Sequence, residues 1–251
     1  MTAPTYHIVG NYLSPYVRKV LVVLETKGLA YTIDPIAPFV GNDRFGELSP
    51  LRRIPVLVDG DRVLNDSSVI CQYLEERHPE PALYPADLWQ RAQARWLEEY
   101  ADSYLGDAVI WGMFYQKGVK RFLFGEAVDE AVVQRARDEQ LPRALDYLET
   151  RLPADGFACG GFGIADIALG SFFRNAAFVR YAIDAARWPK TAGYIERVLL
   201  LPAFRKLATF EDAMLRTPIP EQRAQLAALG APLSAETLGT WPPRRGVMRI
   251  D

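Results

Sequence analysis

Arg53-Ile-Pro-Val-Leu-Val-Asp-Gly-Asp-Arg-Val-Leu-Asn-Asp-Ser-Ser-Val-Ile70 holds two apolar runs, a turn and a helix start in one continuous stretch. Pro55 to Val58 and Arg62 to Leu64 flank Asp59-Gly60-Asp61. Asp-Gly between two such runs is a strong hairpin signal, because glycine takes the positive φ a tight turn requires. Asn65-Asp66-Ser67-Ser68 then offers capping side chains, and Val69, Ile70, Tyr73 and Leu74 give one apolar face to a helix running to about His78. The stretch reads strand, strand, helix.

Working toward the N-terminus, Tyr6 to Val9 reads as a short strand, and Ser14-Pro15 provides a cap followed by proline at the first helical position. Val17, Val20, Leu21 and Leu24 repeat at helical spacing, with Arg18, Lys19, Glu25 and Lys27 taking much of the remaining surface and Gly28 as the stop. Ala30 to Asp34 reads as a second strand. Residues 38–53 carry Pro38, Gly41, Gly46 and Pro50 without clean periodicity, so they read as irregular with room for one short helix. The first eighty residues thus run β-α-β, irregular, β-β-α.

Toward the C-terminus, Pro79, Pro81 and Pro85 exclude helix and central strand and mark a domain boundary. Helical spacing dominates beyond it: Leu88 to Tyr104 with Trp96, Tyr100 and Tyr104 four apart, Asp129 to Leu152, Ile164 onward, Thr191 to Leu201 and Ala203 to Leu215. After Thr217 prolines recur at 218, 220, 232, 242 and 243, leaving one short Ala/Leu-rich piece between Glu221 and Leu229. The expected organisation is an α/β domain over 1–80, a linker at 81–86, an all-helical domain over 87–216 and an extended tail over 217–251 that packs back only in part. Its Trp241-Pro-Pro-Arg-Arg245 end either covers a ligand pocket or lies on the surface.

Composition limits the chemistry. The chain has 251 residues, 49% hydrophobic and 24% charged, enough to bury real cores. A net charge of −2 provides no basic field for nucleic acid or an anionic membrane. The longest apolar run, Ala108 to Tyr115, is far short of the ~20 residues that cross a bilayer. Met1 to His7 has neither a charged n-region nor an apolar h-region, so the expected location is cytoplasmic. Two cysteines and two histidines, Cys71, Cys159, His7 and His78, are too scattered for a zinc site and poorly suited to a histidine-based triad. No metal is expected, and both cysteines read as structural.

Four motifs in order, Ser14-Pro-Tyr-Val-Arg-Lys-Val20, Arg53-Ile-Pro-Val-Leu57, Asn65 to Ile70 and Phe162-Gly-Ile-Ala-Asp-Ile-Ala168, resemble the cytosolic glutathione transferase family over residues 6 to about 215. The tail lies outside the likeness. The resemblance implies a thioredoxin-like α/β N-terminal domain followed by an all-α helical-bundle domain. It also implies glutathione as co-substrate, a hydrophobic electrophile as the second substrate, a role in detoxification and a homodimer. Ser14 matches the catalytic serine of the serine-type, bacterial-like members, with Tyr12 as second choice and Tyr16 as a further competitor; plain capping is the other reading of Ser14. A serine here also speaks against the cysteine-dependent, omega-like branch.

By the same likeness Pro55 is a cis-proline, the Ile54 backbone pairs with the cysteinyl backbone of glutathione, and Arg53 reaches a glutathione carboxylate. Asp66 and Ser67 hold the γ-glutamyl end, a role compatible with capping. Trp111, Phe114 and Tyr115 line the electrophile pocket, with Phe172 and Phe173 as further candidates; bundle core is an equal reading for each. The sequence departs from the family at Arg52, where glycine is usual, at Ser49-Pro50 in place of Asn-Pro, and at Gly163 in place of Ser or Thr. Asp166 then serves as half a capping box, with Phe162 and Ile167 as its hydrophobic staple. Other glutathione-dependent reactions (ether cleavage, dehalogenation, isomerisation, peroxide reduction) start from the same thiolate, and a non-catalytic glutathione-binding module or a bare partner-binding scaffold are rival readings.

Overall fold

A computed structural model describes residues 6–244. They form two compact units: residues up to Pro81 together with Pro202 onward, and Ala82–Leu201. The helix at 202–216, expected with the helical region, is thus grouped with the α/β part.

The first unit has a four-stranded sheet in the order β2-β1-β3-β4. Strand β1 (Tyr6–Val9) runs parallel to β2 (Tyr31–Asp34) and antiparallel to β3 (Val56–Asp59), which pairs through a Gly60-Asp61 turn with β4 (Arg62–Asn65). Gly60 has a φ of +65°, as the hairpin signal requires. The parallel pair is joined by α1 (Pro15–Thr26), and α3 (Ser67–Arg77) follows the hairpin. Between β2 and β3 lie a short 3₁₀ turn at Pro38–Val40 and a one-and-a-half-turn helix α2 (Asp43–Leu48). This is the expected thioredoxin-like α/β arrangement.

Helix α1 differs from its expected amphipathic form. Val17 through Leu24 are all buried, Arg18 and Lys19 included. Helix α1 packs on both α3 and α9 (Pro202–Arg216), so its charged face meets protein rather than water. Its charges are accordingly paired: Arg18 with Glu211 of α9, Lys19 with the Ser68 hydroxyl at 2.8 Å, and Lys27 with Glu75 at 2.8 Å. An unpaired buried charge would cost several kcal/mol.

The described part of the tail is built into this unit. Helix α10 (Gln222–Ala228) packs on α9 with Leu226 fully buried. The chain then bridges the outer side of β2, Ile33 donating to Pro232 O at 2.8 Å and Ser234 donating to Ile33 O at 2.9 Å. The tail packs back in part, as expected: separate backbone bonds at Pro232, Ser234, Leu238, Thr240 and Arg244 tie it to the unit, the last from Arg244 N to Phe39 O, while residues 235–237 are exposed. Trp241 is exposed, and Arg245 lies outside the described residues.

The second unit is all helical. Helix α4 (Leu88–Tyr100) runs without a break into a π-helical segment, Ala101–Leu123. Trp96, Tyr100 and Tyr104 contact ring to ring, with centroids 6.2 and 5.5 Å apart. Then come α5 (Glu130–Arg135), a π-helical turn at Ala136–Gln140, α6 (Leu141–Arg151), α7 (Ile164–Phe178) and α8 (Pro189–Leu199). Helix α7 is buried along most of its length among α4, residues 101–123 and α8, the place of an apolar helix with no polar face.

The departure at Gly163 has a steric cause. A Cβ there would come within 2.4 Å of the Leu83 carbonyl oxygen, which accepts a bond from Ile164 N at 2.9 Å. Asp166 supplies the capping that a serine or threonine would share: it accepts from Gly163 N at 2.8 Å, Ala158 N at 2.9 Å and the Tyr194 hydroxyl. Burial pushes its carboxyl up while those donors pull it down.

Candidate glutathione site

Ser14 caps α1. Its backbone is extended, its Oγ accepts from Val17 N at 3.4 Å, and Pro15 opens the helix. As the acceptor of that bond, the hydroxyl keeps its own hydrogen to donate. The approach loop is tied down on both sides: Ser14 N donates to Asn11 O at 3.0 Å, and Leu13 N to Asn11 Oδ1 at 2.9 Å. Buried Arg18, held by Glu211, also donates to Tyr12 O at 3.4 Å. Half-buried Ser14 therefore stands at the positive end of a well-fixed helix.

Tyr12 has the opposite surroundings. It is 1% exposed, and its ring lies against Phe210 of α9 with centroids 5.2 Å apart. Burial, with a smaller contribution from Glu25, pushes its phenol well above the ordinary value. Among the described residues its hydroxyl has no hydrogen-bond partner. A hydroxyl sealed in this way is poorly placed to meet a ligand sulfur.

The Ile54-Pro55 bond is cis. Before it, Arg52 adopts a φ of +49°, the conformation for which glycine is the usual residue. Arginine at this position folds its guanidinium back onto the carbonyls of Gly41 and Asn42 and over the Phe45 ring at 5.4 Å. The Ser49 hydroxyl brackets Arg53, accepting from its N at 2.9 Å and donating to its O at 2.8 Å. Both departures thus supply bonds that hold this loop. Among the described residues the exposed Arg53 guanidinium makes no hydrogen bond or ion pair.

Asp66 caps α3 at a φ of +75°, its Oδ1 accepting from Ser68 N at 2.9 Å and Val69 N at 3.2 Å. Its carboxylate is exposed, and Ser67 next to it is 3% exposed with a hydroxyl that makes no bond among the described residues. Lys19 brings a buried ammonium to the same helix start through Ser68. Sequence reading missed Lys19, since a lysine on a helix otherwise reads as surface. The Arg-Lys pair on a helix whose neighbours are all apolar was the available signal.

In the helical unit Trp111, Phe114 and Tyr115 are half-buried, Trp111 stacking at an angle on Tyr115 at 5.7 Å and Phe114 on Phe178 at 6.0 Å. Phe172 and Phe173 are buried at 0% and 3% exposure, which makes them core and removes them from any open pocket. Cys71 is buried, and burial pushes the Cys159 thiol up, the opposite of an activated thiol. The described residues contain no His/Cys/Asp/Glu cluster for a metal ion and no helix long and apolar enough to cross a membrane.

Comparison with known proteins identifies the family of both units. Residues 9–82 match the glutathione S-transferase N-terminal domain, and residues 90–197 match the C-terminal domain. Glutathione S-transferase 3 of Zea mays is 34% identical over 205 residues, covering 78% of this chain and 90% of the relative. A glutathione S-transferase structure from Rhodospirillum rubrum F11 superposes with a TM-score of 0.75 at 27% identity, over 81% of this chain and 92% of that one. One from Methylobacterium radiotolerans, solved in complex with glutathione sulfonate, does so with a TM-score of 0.67 at 27% identity, over 80% and 93%. The two domain matches, in this order along the chain and with a relative 34% identical over most of its length, place this chain in the glutathione S-transferase family of enzymes.

Proposed function

We propose that the α/β domain binds reduced glutathione, that Ser14 stabilises its thiolate, and that the sulfur attacks a hydrophobic electrophile held by Trp111, Phe114 and Tyr115. The observation that carries this reading is the Ser14 hydroxyl, which caps α1 as an acceptor and so has its hydrogen to give. A free thiol has a pKa of about 8.5, which leaves only a few per cent as nucleophilic thiolate at pH 7. Two units of depression require about 2.7 kcal/mol, within reach of one charge-assisted hydrogen bond plus a helix dipole.

The rest of the tripeptide has matching partners. Exposed Asp66 takes the γ-glutamyl ammonium, while the Ser67 hydroxyl and the first turn of α3 take its carboxylate. The Ile54 backbone before the cis bond pairs with the cysteinyl unit, and exposed Arg53 takes the glycyl carboxylate. The relative solved with glutathione sulfonate supports the choice of ligand. In the reaction the thiol proton leaves to solvent, a carbon–sulfur bond forms at the electrophilic carbon, and that carbon's leaving group departs with its bonding electrons. The reading includes a homodimer, a cytoplasmic location and a detoxifying role.

Ser14→Ala is expected to raise the pKa of the bound thiol by about one to two units and to lower kcat/KM at neutral pH by about 10- to 100-fold. Spectroscopic titration of the bound thiolate reads the first and steady-state kinetics the second. An unchanged thiol pKa would remove Ser14 from the mechanism. Product analysis across aryl halides, aryl ethers and peroxides separates conjugation from the other reactions of the same thiolate.

A further inference from the structure

The chain beyond Thr217 lies outside both family matches, yet it is bonded to the segment that leads into the cis-proline. Buried Asp34, at the end of β2, anchors it twice: Arg223 pairs with Oδ1 at 3.2 Å, and Leu238 N donates to Oδ2 at 2.6 Å. Leu238 then passes the connection on. Its carbonyl accepts from Asn42 N at 2.8 Å, and Asn42 in turn caps α2 by accepting from Phe45 N at 3.0 Å. The carbonyls of Gly41 and Asn42 hold the Arg52 guanidinium. The Leu238 side chain packs on the cluster of Val9, Ile36, Phe45 and Val56, on which Ile54 also packs. Thr240 N on Val40 O and Arg244 N on Phe39 O, both at 2.6 Å, continue the seam.

We infer that this C-terminal strap is a positioning element for glutathione, with Leu238 as its central residue. The strap fixes residues 39–42, these hold Arg52 in its left-handed conformation, and Arg52 sets the direction of the Arg53 side chain. This inference rests on the reading in which Arg53 takes the glycyl carboxylate. It locates the strap's effect at the glycyl end, since Asp66 and Ser67 follow β4 and, among the described residues, make no hydrogen bond to the strap.

The test uses two probes on the full chain: glutathione, and γ-glutamylcysteine, which lacks the glycyl unit. Leu238→Asp places an uncompensated carboxylate in the apolar cluster and releases the seam. It is expected to weaken glutathione binding by about tenfold in calorimetric titration, the worth of one charge-assisted hydrogen bond. Binding of γ-glutamylcysteine should change by less than about twofold. Leu238→Ala, which keeps the backbone bonds, should weaken glutathione binding relative to γ-glutamylcysteine binding by a smaller factor and serves if the aspartate variant does not fold. Equal weakening of both probes, or no weakening of either, would overturn the strap's role. If the unsubstituted chain binds neither probe, the glutathione site itself is wrong.

Discussion

Tyr12 and Ser14 are two residues apart, and what separates their roles is the protein that surrounds each. Ser14 can donate outward, whereas Tyr12 has traded water for Phe210 and gained no partner for its hydroxyl. An unsatisfied buried hydroxyl costs about 1–3 kcal/mol of desolvation. Tyr12→Phe is therefore expected to leave stability unchanged or raise it by about 1 kcal/mol, with turnover retained, as thermal melting and steady-state kinetics would show. Arg52 makes a second test at this scale. Arg52→Ala and Arg52→Gly both lose the bonds to Gly41 and Asn42, but only glycine removes the left-handed strain, so the alanine variant should be the less stable by about 1 kcal/mol in denaturant unfolding. Capping residues were legible in the sequence because their signal is local: Ser14, Asp66 and Asp166 each cap a helix start beside them. The burial of Tyr12 was not, because Phe210 is nearly two hundred residues away.

At the level of elements, helix α8 shows how a cap can come from elsewhere in the chain. Trp188 precedes it without a capping side chain, and Glu149 of α6 takes the task, accepting from Lys190 N at 3.0 Å, Thr191 N at 2.9 Å and the Thr191 hydroxyl at 2.8 Å. Burial works to raise the Glu149 carboxyl, but these donors outweigh it and hold it below the ordinary 4.5. A depressed carboxylate adds stability above its unfolded pKa and loses it as pH falls through the folded one. Glu149→Gln should therefore cost about 1 kcal/mol near pH 7, with the difference in melting temperature shrinking below about pH 4.5. The hairpin, α1 and α3 were readable because period, turn and cap agreed. The seam along 232–244 was not, since it is made largely of backbone groups, which leave no residue-type signature.

At the level of the whole molecule, the α/β unit is discontinuous, its two pieces separated by the entire helical unit. The proposed homodimer is checked by light scattering: a mass of twice the 28.2 kDa chain is expected, and a single chain's mass would remove it. The two domain classes were legible in the sequence because the switch from alternating strand and helix signals to purely helical ones falls at Pro79, Pro81 and Pro85. The return of Pro202 onward to the first unit was hidden. Its contacts with α1 depend on pairs such as Arg18 and Glu211, which neither sequence neighbourhood announces.

The order of synthesis now matters. Strand β2 lies at the sheet's edge, and its outer groups are met at Pro232 and Ser234. A ribosome delivers that strand about two hundred residues before its cover. Throughout that interval the nascent domain presents an open strand edge, the kind of surface that pairs with the wrong neighbour. A chain cut short of residue 232 would keep that edge for good, so the cell must either finish this protein quickly or shield it while it waits.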